Sequence, residues 1–297
     1  MKRSYLLIIG LFAVSAVLFA VTQVRERMKT SGEAPVITMD RDSLEVSVNV
    51  TDEELLAGVT ATDAEDGDLT DQLLVESYSR FLSKGRRTVT IGVADSQGKI
   101  TEAERTITYT DYRSPVFNLT APLYLSIDNC DDPVSLLTAS DVMDGDISNK
   151  IQISSIASDY GEKTGDFPIE FKVSNSAGDT ETLTTKVTLY DAKDMYGAPE
   201  IQLDRYMMYV KEGDSFSPWT YVTEATLEHV HYVRKGSQLE AEDGNEDEDG
   251  DVLTLSSSDF SISNEVNTNE PGTYEVLYRL EDEDGKLGST RLLVVVR

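Results

Sequence analysis

Three copies of the tripeptide Asp-Gly-Asp, at residues 66–68, 144–146 and 249–251, supply the side chains best suited to chemistry in this sequence. Carboxylates flanking a glycine offer two chemistries. They can share a hard cation such as calcium, which takes about six to eight oxygen ligands, or act as an acid–base pair on a glycosidic bond. A catalytic pair is unique in an enzyme, whereas these acids recur. No nucleophile elbow, phosphate-binding glycine loop or zinc-protease helix accompanies them. The expectation is a protein that is not an enzyme. The simplest role for the motif is a turn, because Asp and Gly both favour turns and Asp caps its own loop.

The elements that must position these acids repeat with them. Pro35, Pro115 and Pro199, 80 and 84 residues apart, open three units. Each unit carries a later glycine (Gly85, Gly165, Gly272), an alternating segment, a short turn with Gly98, Gly178 or Gly285, and a return segment. Period-two alternation puts Val89, Ile91 and Val93 on one strand face, and Ile169, Phe171 and Val173 on another. Short alternating strands, turn signals and almost no helical periodicity predict antiparallel β-sandwiches.

Residues 59–70 (Val-Thr-Ala-Thr-Asp-Ala-Glu-Asp-Gly-Asp-Leu-Thr), with Val93-Ala-Asp-Ser-Gln-Gly-Lys99, resemble the bacterial Ig-like domain found in tandem on surface proteins and in some pesticidal crystal proteins, itself similar to cadherin-like repeats. The resemblance covers nearly all of residues 35–297. It implies an all-β chain of three tandem Ig-like sandwiches, with domains at 34–112, 113–193 and 194–297, the last with an insertion at about 226–246. It also implies a structural or adhesive extracellular module rather than a chemistry.

With Ig-like connectivity, the Asp-Gly-Asp loop and the last hairpin meet at the pole where a domain's first strand starts. That gathers Asp111 with Asp141, Asp144, Asp146 and Asn175 at the first junction. At the second it gathers Asp191 and Asp194 with Asp249, Asp251 and Asp282. Calcium is the possible cofactor at such junctions, and bound ions would stiffen the string of domains, as in cadherin-like repeats. Residues 245–256 also fit the first half of an EF-hand-type loop, with Asn245, Asp247 and Asp249 at positions one, three and five and Gly250 at six. Ser256 stands where the bidentate Glu belongs.

Both histidines lie in the insertion of the third unit. His229 and His231, two apart, would face one side of a strand and could begin a transition-metal site. A surface hairpin over 227–241, turning at Lys235-Gly236-Ser237, is the simpler expectation. Tyr232, Arg234 and Lys235, with the two histidines, make it a candidate contact loop.

Acidic residues outnumber basic ones 54 to 26, for a net charge of −28. Such a surface repels phosphate backbones, which excludes nucleic acid and suits cations or basic partners. A single cysteine, Cys130, rules out a disulfide framework within the chain. Residues 4–24 are free of charge and follow Lys2-Arg3. This predicts an N-terminal membrane-spanning helix with a polar linker to residue 33 and the bulk of the chain outside the cell, or else secretion after signal cleavage. The sequence thus reads as a membrane-anchored surface stalk or adhesive module for an unknown extracellular protein or glycan. A carbohydrate- or cell-wall-binding module is the alternative, and a non-catalytic sensor or assembly subunit of a membrane complex a further one.

Overall fold

The computed structural model describes residues 14–22, 32–242, 245–246 and 250–297. Residues 14–22 are helical. Among the described residues no helix is long and apolar enough to cross a membrane. The expected single-pass anchor over 4–24 is therefore corrected: nine described residues of helix rise only about 14 Å, against about 30 Å of hydrocarbon. The flanking parts of that stretch, 4–13 and 23–24, lie outside the described residues.

The rest is built of strands, and the chain divides into two compact units, Met1–Arg113 and Ser114–Arg297. In the first, β1 (Val36–Met39), β3 (Val59–Asp63) and β4 (Gly67–Asp68) form a three-stranded sheet in the order β1-β3-β4. A four-stranded sheet has the order β2-β7-β6-β5, with β2 (Ser43–Val46) parallel to β7 (Ile100–Tyr109), and with β6 (Arg86–Ala94) and β5 (Leu74–Tyr78) following. The alternation expected of Val89, Ile91 and Val93 is met, since all three are buried together with Val59 and Ala61. A short helix, Asp52–Leu56, is closed by a capping box between Thr51 and Glu54 and buries Leu55.

One core residue of this unit breaks the apolar rule. Arg105 is fully buried, and its guanidinium donates to the carbonyls of Leu55 (2.8 Å), Ala57 (2.9 Å) and Arg41 (3.2 Å) and to the Asp40 carboxylate (3.3 Å). Burial lowers its pKa, and these four acceptors are what allow a cation at that depth.

The second unit holds four further sheets among the described residues. One sheet runs β11 (Gly145–Asp146), β10 (Leu137–Asp141), β8 (Val116–Leu119). Its partner runs β12 (Gln152–Ile156), β13 (Gly165–Ser174), β14 (Thr180–Tyr190), β9 (Tyr124–Ser126), with β9 parallel to β14. A five-stranded sheet follows in the order β15 (Glu200–Leu203), β17 (Val222–Leu227), β18 (Val230–Lys235), β19 (Gln238–Ala241), β20 (Thr254–Leu255). Opposite it lie β16 (Met207–Val210), β23 (Leu287–Val296), β22 (Gly272–Glu281) and β21 (Ser261–Asn264), with β16 parallel to β23. Each facing pair encloses an apolar core, which makes each a β-sandwich. Phe117 and Ala139 meet Phe171 and Leu183 in one core, and Val222 and Leu239 join Tyr278 and Leu292 in the other.

These two sandwiches do not hang as separate beads. Strand β23 is apolar on both faces: Leu292, Val294 and Val296 enter its own core, while Leu293, with Met207, enters the core of the preceding sandwich. The Phe117 N–H donates to the Tyr209 hydroxyl at 2.9 Å across the same seam. Beside it, Arg291, 5% exposed, reaches Asp166 and Glu275 at 3.5 Å and donates to the Thr188 hydroxyl at 3.1 Å. Burial pushes the Asp166 carboxyl up, but the Thr188 hydroxyl, Arg291 and Lys186 together hold it below its ordinary value.

Candidate functional site

The acids of the first two Asp-Gly-Asp copies are spent on their own loops. The Asp66 carboxylate accepts from the Ser96 N–H (2.7 Å) and hydroxyl (2.8 Å), and Asp144 accepts from the Ser176 N–H (2.7 Å) and hydroxyl (2.6 Å). This clamp ties the turn to the last hairpin at the leading pole, the end where the first strand starts. The second Asp caps the next turn, Asp68 through the Thr70 N–H (2.9 Å) and Asp146 through the Ser148 N–H (2.9 Å). Upstream, Asp63 and Asp141 each accept two backbone N–H groups, and Asp141 also accepts from the Asn175 side chain at 3.1 Å. Gly67 and Gly145, at φ of 80° and 71°, allow the tight reversal between the two acids.

The third copy of the motif is not at the equivalent place. Ala225 pairs with Ile201 as Ala61 pairs with Ile37, so the equivalent turn falls at Glu228-His229. The inserted strands β18 and β19 then intervene before Gly250. Glu228 takes over the clamp, its carboxylate accepting from the Glu283 N–H at 3.3 Å. Both Glu228 (φ 52°) and His229 (φ 70°) adopt the left-handed conformation that glycine or Asn normally supplies in such a turn. Strain of this kind, about 1 kcal/mol or more per residue, concentrates at functional sites.

That strained turn lines a cleft of about 510 Å³ beside the start of β15. The opposite wall is the Asp282–Lys286 hairpin, and the rim is the linker bearing Tyr196. Tyr196 is 85% exposed, the most exposed large hydrophobic side chain among the described residues. The Lys286 ammonium donates to the Tyr196 carbonyl at 3.2 Å, which fixes the linker beside the hairpin. Glu200, Glu228, Asp282, Glu283 and Asp284 make the lining strongly acidic around that one lysine.

The remaining sequence-predicted residues fall as follows. Asp111 is committed to the Ser47 hydroxyl (2.7 Å) and the Val48 N–H (2.8 Å), and these bonds hold it below the usual carboxylate range. Asp191 caps its own turn through the Lys193 N–H at 2.9 Å, and Asp194 is exposed beside it. Asn175 and Asp282 brace their hairpins by accepting from the Asp179 N–H (2.9 Å) and the Lys286 N–H (2.7 Å). Asn245 and Asp251 are exposed, whereas Asp247 and Asp249 lie outside the described residues. Ser256 is tied to Asp259 at 2.7 and 2.9 Å. Among the described residues no group of three or more His, Cys, Asp or Glu side chains is arranged to hold a metal ion.

The expected hairpin turn at Lys235–Ser237 is present, with Lys235 paired to Gln238, and the Glu228-His229 turn adds a second reversal. His229 therefore sits in a turn and His231 on β18, so the two imidazoles do not share a strand. The His231 ring nitrogens face Glu242 (2.8 Å) and Glu224 (3.3 Å), and the hydrogen bond with Glu242 leads in raising its pKa. Tyr232 is buried in the core. Arg234 donates to the Val222 and Trp219 carbonyls, both at 2.6 Å, and stacks on the Trp219 ring. Of the five proposed contact residues, His229 and Lys235 are exposed. Tyr196 and Glu228 escaped the sequence reading. The signal for Tyr196 was an aromatic stranded in the polar linker Asp-Ala-Lys-Asp-Met-Tyr-Gly, residues 191–197.

No protein-family model matches the chain. Over 242 residues it is 27% identical to the pesticidal crystal protein Cry22Aa of Bacillus thuringiensis, a match covering 80% of this chain and 29% of that protein. The chain thus spans less than a third of that relative's length. Among solved structures, it aligns with the CBM51-2 and INT domains of Clostridium perfringens ZmpB in complex with GlcNAc at 22% identity and a TM-score of 0.22, over 51% of this chain and 26% of that one. It aligns with the protocadherin GammaB4 extracellular domain at 11% identity and a TM-score of 0.19, over 89% and 49%. The sandwich architecture itself rests on this chain's own sheets and cores.

Proposed function

We propose that the chain is an extracellular, non-catalytic binding module of three tandem Ig-like sandwiches at 34–112, 113–193 and 194–297, and that the cleft beneath Tyr196 takes a neutral or amino-bearing glycan. The observation that carries this reading is an 85% exposed tyrosine on the rim of a carboxylate-lined cleft. An aromatic face accepts the C–H side of a sugar ring, and carboxylates accept its hydroxyl or ammonium protons. The strained Glu228-His229 turn supplies one wall. The acids of the first two sandwiches support the module rather than the ligand, because their oxygens are taken by backbone N–H groups.

Binding of the whole chain to an array of neutral and amino-sugar glycans tests this. Tyr196→Ala is expected to weaken the retained glycan by roughly tenfold, about 1.4 kcal/mol. Retention of no such glycan by the unaltered chain would sink the assignment. Adhesion to a basic protein is the second reading, favoured by the net charge of −28. A cationic protein captured by the unaltered chain and still captured by Tyr196→Ala would favour it.

A further inference from the structure

The β5–β6 hairpin of the first sandwich inverts the charge of the chain around it. Residues 79–87, Ser-Arg-Phe-Leu-Ser-Lys-Gly-Arg-Arg, hold four of the 26 basic side chains and no acid, in a protein with 54 acidic residues. Arg80, Lys84 and Arg86 are exposed. None of the three is ion-paired among the described residues, although acids outnumber bases two to one and other bases, such as Arg41 and Lys150, have found partners.

The hairpin is held in one shape. The Ser79 N–H donates to the Thr88 carbonyl (2.9 Å), and the Thr88 N–H returns to the Ser79 hydroxyl (2.9 Å). Leu82 N–H to Arg86 carbonyl and Arg86 N–H to Ser83 carbonyl, both 2.8 Å, close the tip. Gly85 is buried at φ 73°, its carbonyl accepting from the Tyr109 N–H at 2.8 Å, and Tyr112 packs where a side chain at 85 would project. Arg87 turns inward, stacked over the Tyr78 ring at 4.1 Å and bonded to the Tyr109 hydroxyl at 2.9 Å. Phe81 meets Tyr112 edge-on at 4.8 Å, and Leu82 is left 63% exposed at the tip.

We propose that this hairpin is a docking surface for an anionic polysaccharide, separate from the cleft beneath Tyr196. Three unpaired cations on a preorganised loop bind anionic groups without first ordering the side chains' backbone. The shape of the field selects the partner. A broad acidic protein surface laid on the hairpin would also meet the acidic remainder of the same unit, whereas a thin linear polymer can contact the hairpin alone. Exposed Leu82, beside half-buried Phe81, offers apolar contact to sugar C–H faces, which a bare phosphate or sulfate ion cannot use.

The test titrates the whole chain with polygalacturonate, with neutral dextran and with a single-stranded oligothymidine of matched length, at low and at physiological salt. Polygalacturonate is expected to bind, more weakly at higher salt, and the triple variant Arg80→Gln/Lys84→Gln/Arg86→Gln to lose roughly tenfold or more in affinity with a shallower salt dependence. Tyr196→Ala is expected to bind polygalacturonate as the unaltered chain does, so this surface and the glycan cleft fail or succeed separately. Should the triple variant shift its thermal midpoint, Lys84→Gln alone is expected to lose about twofold to threefold. No binding at low salt, binding equal in the variants, or oligothymidine bound as tightly as polygalacturonate would overturn the proposal.

Discussion

The Phe117 backbone N–H and the Tyr209 hydroxyl, 2.9 Å apart, join two sandwiches through a bond that neither could complete alone. Burial raises the Tyr209 pKa above its ordinary value, and the Arg297 guanidinium lies 3.9 Å over its ring. Tyr209→Phe keeps the ring and strands the N–H, so urea unfolding is expected to show a loss of about 1–2 kcal/mol. The larger effect belongs to Leu293→Ala, expected to cost about 3 kcal/mol. Hydrogen exchange at Phe171 and at Val276 should accelerate together, and protection retained at one while lost at the other would contradict coupling of the two cores through β23.

Asp144 gives the chain a defined acid sensitivity. Burial pushes its carboxyl up, but Lys150 at 2.7 Å and the two bonds from Ser176 outweigh that and hold it below its ordinary value of 3.8. A depressed folded pKa contributes stability that is present above about 3.8 and is lost as pH falls through the folded value. Asp144→Asn is expected to cost about 2 kcal/mol at neutral pH and to flatten the acid limb of the stability profile.

His231 should titrate in the opposite sense. Its hydrogen bond with Glu242, with Glu224 on the other side, raises its pKa above 6.5. The stabilisation is complete below about 6.5 and fades as pH rises through the folded value. NMR titration of the His231 ring should show the raised midpoint, and Glu242→Gln should lower it.

The left-handed turn at Glu228-His229 predicts a gain rather than a loss. His229→Gly removes the steric cost at φ 70° and is expected to stabilise the chain by about 1 kcal/mol in urea unfolding. A destabilised variant would show that the imidazole makes contacts that outweigh the strain.

Calcium should do little at the first two Asp-Gly-Asp copies. The oxygens of Asp63, Asp66, Asp141 and Asp144 already accept backbone N–H groups, which a cation would have to displace. Exchanging millimolar calcium for chelator is expected to leave hydrogen exchange in residues 59–70 and 137–148 unchanged.

Period-two alternation exposed the inward faces of β6 and β13 to sequence reading, because one face of each meets an apolar core and the other water. It could not resolve β23, whose Leu292 and Leu293 are both buried because a second sandwich covers the outer face. Arg105 was opaque for a related reason: its burial depends on three carbonyls from distant segments. The Asp-Gly-Asp acids were legible as turn chemistry, but their clamps on Ser96 and Ser176 were not, because those partners lie 30 and 32 residues downstream. The third copy, at Gly250-Asp251, misled because the tripeptide is visible in sequence while the pairing of Ala225 with Ile201 is not. Tyr196 was missed because an aromatic in a linker has no periodicity to mark it.

The two-faced strand β23 also sets a timetable for synthesis. A ribosome delivers β8 through β22 before it, and until Leu287–Val296 emerges the first of the two cores lacks Leu293 and the second lacks Leu292 and Val294. The core around Phe117 and Phe171 draws nearly all its side chains from residues 117–189 and can close early, while the core around Val222 and Tyr278 must wait with an apolar face uncovered. Interrupted translation within β23 would therefore release a chain whose last core is open and adhesive in the unwanted sense.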